Sequence, residues 1–268
     1  MMKIGIFDSG IGGLSVLHKA LSAIPDAEFI YYADTENVPY GEKSREEIEQ
    51  LSENVMQFLF TRDMEAIVVA CNTATSVAIK KLRAEYALPI IGMEPAIKKA
   101  RDEYPEGRTL VIATPVTVMG DKMRYLLEQV DSKHLVDLIA TPKLVRYAEA
   151  GVFEDEEIKE YLLGQFKGLD LGIYSSLVLG CTHFNYFKTL LRSILPESVH
   201  FVDGVEGTVM QLMRKTGLDP EGVHRKRCAP TKKYMDRVSF FYSGWEALPE
   251  DLSKIECYFD KLDEVEKL

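Results

Sequence analysis

Short apolar runs rich in β-branched residues alternate with longer amphipathic stretches along almost the whole chain, and the alternation occurs in two successive series. Strands are expected over 3–7, 28–32, 66–70 and 89–92, and again over 109–113, 135–140, 177–180 and 199–202. Helical periodicity fills the intervals, as over 44–60 and 73–86. A strand that reads as a continuous apolar run is buried on both faces, the condition of a parallel sheet covered by helices. The pattern therefore predicts an α/β fold. The two series also agree in order. The first strand of each ends in a small polar loop, Asp8-Ser9-Gly10 in one and Thr114-Pro115-Val116-Thr117 in the other, and the third ends in a cysteine, Cys71 or Cys181. Two similar parallel-sheet lobes related by a pseudo-two-fold axis are expected, with a cleft between their strand ends. The join falls near Met93-Glu94-Pro95-Ala96. The repeat does not account for the chain beyond 207, which carries a helical stretch over 207–215, a segment rich in Pro, Gly and basic residues over 217–233, a strand over 238–242 and an acidic helix over 251–262.

Composition narrows the function classes. Forty-two acidic against 32 basic residues give a net charge of −10, which argues against nucleic acid or an anionic membrane as partner. No apolar stretch approaches the ~20 residues of a membrane span. The opening run is too short for a signal peptide and is interrupted by Asp8, so a cytoplasmic protein is expected. Four cysteines without a Cys-x-x-Cys pair fit neither a disulfide framework nor a ribbon-type zinc site. In a reducing compartment such thiols are buried filler or reactive groups.

Open α/β sheets place ligands at the C-terminal ends of their strands, where Cys71 and Cys181 both fall. Each is followed by small polar residues, Asn72-Thr73 and Thr182-His183. A thiol titrates near ~8.5 when unperturbed, so one can remove a proton from a substrate carbon while its opposite returns one. Helix N-termini after the two cysteines would lower both thiol pKa values and offer N–H groups to an anionic substrate. For either cysteine alone, buried filler is the better reading; the matched pair reverses it. The glycines of Asp8-Ser9-Gly10-Ile11-Gly12-Gly13 would let the backbone approach an anion, with Ser9 as a donor. The spacing is not Gly-x-Gly-x-x-Gly and no Walker Lys follows, so a nucleotide loop is disfavoured. Asp8 is as well read as a structural cap, Pro39-Tyr40-Gly41 as an ordinary turn, and Glu149 as a solvated helix residue. His183 either tunes Cys181 or is a satisfied histidine under a loop. Cys71, Cys181 and His183 supply only three ligands, so no metal is expected. The cluster Arg225-Lys226-Arg227 with Lys232-Lys233 reads as a charged loop, and Cys228 and Cys257 as non-catalytic.

Taken together, Phe7-Asp8-Ser9-Gly10-Ile11-Gly12-Gly13-Leu14, Asp34 with Val38-Pro39-Tyr40-Gly41, Ala70-Cys71-Asn72-Thr73-Ala74, Gly92-Met93-Glu94-Pro95-Ala96, Ala113-Thr114-Pro115-Val116-Thr117 and Leu179-Gly180-Cys181-Thr182-His183-Phe184 resemble the glutamate racemases of the aspartate/glutamate racemase group. The resemblance runs from the N-terminus to about Gly207. It implies a cofactor-independent enzyme that interconverts L- and D-glutamate and supplies D-glutamate for peptidoglycan. Cys71 would act on the D-substrate and Cys181 on the L-substrate, assisted by Asp8 and His183 respectively, with Glu149 supporting the second thiol. Asp8, Ser9, Tyr40, Gly41, Asn72, Thr73, Thr117, Thr182 and His183 would bind the substrate. The tail would fold back on the first lobe, giving 1–95 plus 208–268 as one lobe and 96–207 as the other. The small-molecule substrate is the implied partner, with a homodimer as the oligomer to look for. The chain departs from the family in having Thr141-Pro142 where Cys-Pro is common, and in a polar 143–148 segment. The rivals are an aspartate racemase, a cysteine hydrolase with one nucleophilic thiol, and a two-lobed amino-acid binding protein. A phosphatase loop is ruled out by Val77 and Phe187 at the two arginine positions.

Overall fold

A computed structural model describes residues 1–220 and 235–267. The basic cluster 225–227 with 232–233, and Cys228, lie outside the described residues. Among the described residues ten strands form two sheets: β1 (Met2–Asp8), β2 (Ala27–Ala33), β3 (Ala66–Val69), β4 (Ile90–Gly92), β5 (Arg108–Ala113), β6 (Val136–Ala140), β7 (Tyr174–Leu179), β8 (His200–Val202), β9 (Val238–Tyr242) and β10 (Trp245–Glu246). The first sheet has the order β10-β9-β2-β1-β3-β4 and the second β6-β5-β7-β8. All pairs are parallel except β9 with β10.

The internal repeat has a direct structural counterpart. The order 2-1-3-4 of the first sheet recurs as 6-5-7-8 in the second. The turn-entering amides repeat as well: Ala70 N donates to Phe7 O across β3/β1, and Gly180 N donates to Ile112 O across β7/β5, each at 2.8 Å. Each cysteine therefore leaves its sheet at the same place relative to the central strand.

The helices are α1 (Leu14–Ala23), α2 (Arg45–Phe60), α3 (Asn72–Glu85), α4 (Ile97–Glu103), α5 (Pro115–Met119), α6 (Asp121–Val130), α7 (Lys143–Glu149), α8 (Glu156–Gln165), α9 (Lys188–Ile194), α10 (Val205–Lys215) and α11 (Pro249–Val265). Local chemistry starts several of them. Ser44 and Glu47 form a reciprocal capping box on α2, and Thr114 caps α5 with Pro115 in its first turn. Alternate residues of the central strands feed opposite cores. Phe7, Ile67 and Val69 pack with Ile48, Val55 and Leu82 from α2 and α3. Ile4, Ile6 and Val68 join a core that runs from Leu14 and Leu17 of α1 through Leu212 of α10 to Leu110, Ile112 and Leu177 of the second sheet. A third cluster, with Ile97, Val111, Met123 and Val178, covers the other face of the second sheet. Both sheets are thus covered on both faces, as continuous apolar strands require.

The tail divides between the lobes. β9 extends the first sheet by pairing with β2, whereas α11 touches both α1 and the 3-10 helix Thr182–Phe187 of the second lobe. The resemblance implied a tail folded back on the first lobe, where β9 and the contact of α11 with α1 lie; the face of α11 carrying Tyr258, Phe259 and Leu262 also belongs to the core shared by both lobes. Among the described residues no helix is long and apolar enough to cross a membrane.

Candidate active site

Each of the two matched strand ends carries a buried thiol, and the charge of Cys181 is felt at Cys71. Cys71 is 5 % exposed and Cys181 6 %, and both are free, as is the exposed Cys257. Cys71 is the N-cap of α3, its sulfur accepting the Ala74 amide at 3.4 Å. It also lies 3.6 Å from the Ser9 hydroxyl. Cys181 is followed by a 3-10 turn, Thr182–Phe187, before α9 begins. Its sulfur sits 3.7 Å from His183 Nδ1. The two halves of the site therefore share a topology but differ in what surrounds the sulfur.

Charge separates them further. Burial pushes the Cys71 thiol up to about 12, and the Asp8 carboxylate raises it while the Ala74 amide and Ser9 hydroxyl lower it. The expectation that the helix N-terminus would lower this thiol is corrected: the amide acts in that direction, but loss of water outweighs it. Burial likewise raises Asp8 to about 6 against the opposing pull of His183 and the Gly10 amide. Burial works against a charge on His183, yet its bonds to Cys181 and Glu149 outweigh that and hold it well above the ordinary histidine value.

Glu149 is no solvated helix residue. Its Oε1 lies 2.5 Å from His183 Nε2 and accepts the Ile11 amide at 2.9 Å. One carboxylate oxygen therefore fixes the histidine beside Cys181 and ties the second lobe to the first. Asp8 makes the reverse tie: Oδ1 accepts the Gly10 amide at 3.0 Å, and Oδ2 accepts the Thr182 hydroxyl at 3.1 Å. Tyr186 donates from the second lobe to Ile11 O at 3.1 Å.

The glycines of the opening loop also make room for these side chains. A Cβ at Gly10 would lie 1.8 Å from Glu149 Oε1, and one at Gly12 would lie 2.4 Å from His183 Nδ1 and 2.5 Å from Thr182 Oγ1. Gly41 plays the same part at the far end of the cleft, where its Cβ would meet that of Thr114 at 2.6 Å. The lobes close on each other at glycines.

The Pro39-Tyr40-Gly41 turn is moored rather than free. Tyr40 donates to Asp34 Oδ2 at 2.6 Å, and Asp34 Oδ1 accepts from Asn37 and from Ser243 of the tail, each at 3.0 Å. Burial, with Asp34 next to it, keeps the Tyr40 hydroxyl protonated by raising its pKa far above the ordinary phenol value. Beyond Gly41, Thr73 and Thr114 meet at 2.9 Å across the lobes, and Thr114 donates to Thr117 at 3.0 Å. Thr117 thus joins the site through Thr114, which stands out in the sequence only as part of a motif. Asn72 is 3 % exposed, and among the described residues neither side-chain atom of its amide has a hydrogen-bond partner. Such an amide costs free energy unless something else satisfies it. Among the described residues, the group of His, Cys, Asp and Glu side chains close enough to share a metal ion is His18, Asp263 and Glu266, on α1 and α11.

Two similar α/β lobes each carry a buried thiol at the end of the third strand of the repeat, Cys71 beside Ser9 and Cys181 beside His183. The chain belongs to the Asp/Glu/hydantoin racemase family, which it matches over residues 8–212. It is 51% identical over 271 residues to the glutamate racemase of Campylobacter curvus (strain 525.92), covering 98% of each chain. In structure it is similar to the crystal structure of glutamate racemase from Campylobacter jejuni subsp. jejuni, with a TM-score of 0.79 and 26% identity over 97% of this chain and 98% of that one. It is also similar to Escherichia coli glutamate racemase in complex with L-glutamate and the activator UDP-MurNAc-ala, with a TM-score of 0.72, 29% identity and coverage of 85% and 84%.

Proposed function

We propose that the chain interconverts L- and D-glutamate by passing the α-proton between two thiols. The observation that carries this is the placement of Cys71 and Cys181 at equivalent strand ends of a repeated fold, each buried and each with its own polar partner. One enantiomer presents its α-hydrogen to Cys71 and the other to Cys181. A base then needs only to take the proton on one face while the opposite thiol delivers one on the other. Without substrate, burial and Asp8 keep Cys71 protonated. The substrate's ammonium group supplies the missing positive charge on binding, which favours ionised Asp8 and Cys71. His183 holds its proton beside the Cys181 sulfur, and Glu149 fixes the ring from the other nitrogen. We assign the substrate carboxylates to the polar groups Ser9, Asn72, Thr73, Thr117 and Thr182 and to the Tyr40-Gly41 turn, and the open amide of Asn72 supports that assignment. Free thiols of this kind persist in a reducing compartment, so the activity is assigned to the cytoplasm, with the D-glutamate product going to peptidoglycan.

The test is incubation with L-glutamate in deuterated water with no cofactor added. Loss of the α-proton NMR signal together with loss of optical rotation is expected. Serine is a far weaker acid than cysteine, so Cys71→Ser and Cys181→Ser should each lower racemisation at least 100-fold in both directions. A single variant that racemises at the wild-type rate would refute the two-thiol reading.

A further inference from the structure

The C-terminal helix α11 is fastened to both lobes. On the first-lobe side His18 of α1 places Nε2 2.8 Å from Asp263 and Nδ1 3.6 Å from Glu266. On the second-lobe side Thr189 donates to Glu264 at 3.1 Å, and Lys261 pairs with Glu154. Between these anchors Tyr258 is buried, its ring centroid 5.8 Å from that of Phe153 and 5.7 Å from that of Tyr186. Its hydroxyl reaches the carbonyls of Glu149 and Ala148 at 3.2 and 3.3 Å.

Those carbonyls end α7, a helix of seven residues with no side-chain cap, followed by Gly151 at φ 71°. So short a helix has little stability of its own, and its last turn holds its place through tertiary contacts. Glu149 is the final residue of that turn, so whatever fixes its backbone fixes the start of a line of contacts. The line runs from Glu149 Oε1 to His183 Nε2 at 2.5 Å and from His183 Nδ1 to the Cys181 sulfur at 3.7 Å. The contacts of the Cys71 sulfur, with Ser9 and the Ala74 amide, involve no residue of α11.

We propose that Tyr258 is a positioning residue for the half-reaction carried by Cys181: its hydroxyl fixes the end of α7, and with it the Glu149 carboxylate that aligns His183 on the sulfur. The proposal rests on the two-thiol reading. It places the control of one proton transfer in the tail, in a residue that touches no substrate.

A glutamate carrying chloride on Cβ tests it in the full-length protein. The thiolate takes the α-proton, the C–H electrons form the Cα=Cβ bond and chloride departs, so no proton is needed from the opposite thiol. Each enantiomer then reports one cysteine, and the enantiomer that Cys181→Ser fails to process is the one assigned to Cys181. Tyr258→Phe keeps the ring on which Phe153 and Tyr186 pack, so the fold is retained. It should slow elimination from the Cys181 enantiomer about 5- to 20-fold through kcat, with KM within twofold. The limb of that enantiomer's kcat–pH profile set by His183 should move to lower pH, because a loosened Glu149 holds the proton on the ring less firmly. Elimination from the other enantiomer should stay within twofold of wild type. Lys261→Gln, which releases the neighbouring anchor of α11 at Glu154, should leave both rates within twofold. Equal losses on both enantiomers, no loss on either, or a Lys261→Gln variant that behaves like Tyr258→Phe would each overturn the proposal. A wild-type protein that neither racemises glutamate nor eliminates from either analogue would instead overturn the two-thiol reading itself.

Discussion

Alanine at Gly10 should disable the site through Glu149, a residue of the other lobe far along the chain. Gly10 is not among the glycines with positive φ, so its backbone accepts alanine and only the contact matters. The new Cβ would lie 1.8 Å from Glu149 Oε1 and 2.7 Å from Cδ, where real Cβ contacts begin at 3.0 Å. The carboxylate must therefore retreat by about 1.2 Å. The same oxygen makes the 2.5 Å contact to His183 and accepts the Ile11 amide at 2.9 Å, and a retreat of that size stretches both beyond hydrogen-bonding distance. A hydrogen bond to a charged group is worth about 1.5–3 kcal/mol. Losing two, with partial recovery as Glu149 finds water, should cost about 2–4 kcal/mol of stability. Racemisation should fall on the order of 100-fold, since 1.4 kcal/mol is tenfold in rate and two such factors are at stake. Urea unfolding and racemisation assays on Gly10→Ala, Glu149→Ala and the double variant form the cycle. With the Glu149 side chain already absent, adding the alanine should cost less than ~0.5 kcal/mol, because the two changes act through one contact. A full penalty for Gly10→Ala in the Glu149→Ala background, or a near-wild-type single variant, would refute the reasoning.

Three further outcomes are expected. Asp8 binds its proton more tightly folded, at about 6, than at its ordinary value of 3.8. Its contribution is thus fully present below about pH 4 and lost as pH rises through 6, so Asp8→Asn should gain stability relative to wild type between pH 4 and 7.5. The gain should be on the order of 3 kcal/mol while activity falls, and a flat difference across that range in denaturant titrations counts against it. Asn72→Ala removes a buried amide that no group among the described residues satisfies, so melting should be unchanged or raised while KM for glutamate rises at least tenfold; a large loss of stability would show that the amide serves the fold. Arg146 of α7 pairs through both Nε and Nη2 with Glu42 beside the Tyr40-Gly41 turn, an exposed bridge between the lobes. Wild-type KM should rise with ionic strength as salt screens this pair, and that dependence should weaken in Arg146→Ala, with no change in melting temperature.

The eight repeat strands and the two cysteines were readable because each is specified by short-range pattern: a β-branched run, a break, and a small polar residue after it. Tertiary relations were not readable in the same way. Gly10 and Gly12 stood out as glycines, but what they make room for, Glu149 and the Thr182-His183 pair, lies far along the chain. Glu149 looked like an exposed residue because α7 is polar around it, with Lys143 and Arg146 in the same short helix; only the Ile11 amide and His183 ring, brought by other elements, show its place. Thr114 stood out only as part of a small polar loop, and its 2.9 Å contact with Thr73 of the other lobe has no local signal. The Cys71 thiol was misjudged for a related reason. A helix N-terminus can be inferred from sequence, whereas the depth of burial that outweighs it depends on how both lobes close. Nothing in the acidic pattern of α11 marks Tyr258 as the residue facing α7.

The path of the chain also sets the order in which the protein can be made. The second sheet is built from one continuous stretch, β5 to β8, so it can form while the ribosome is still supplying the remainder. The first sheet cannot be completed then, because β9 at Val238–Tyr242 must return to pair with β2 at Ala27–Ala33. Until it does, β2 presents a bare edge to any other strand that meets it. Contacts of such long sequence separation form slowly, and the exposed edge is the place where a nascent or heat-stressed chain aggregates. A chain truncated before 238 should therefore leave the β2 edge bare and, lacking α11, also uncover the apolar faces of both lobes on which that helix packs, so that it sticks to its neighbours.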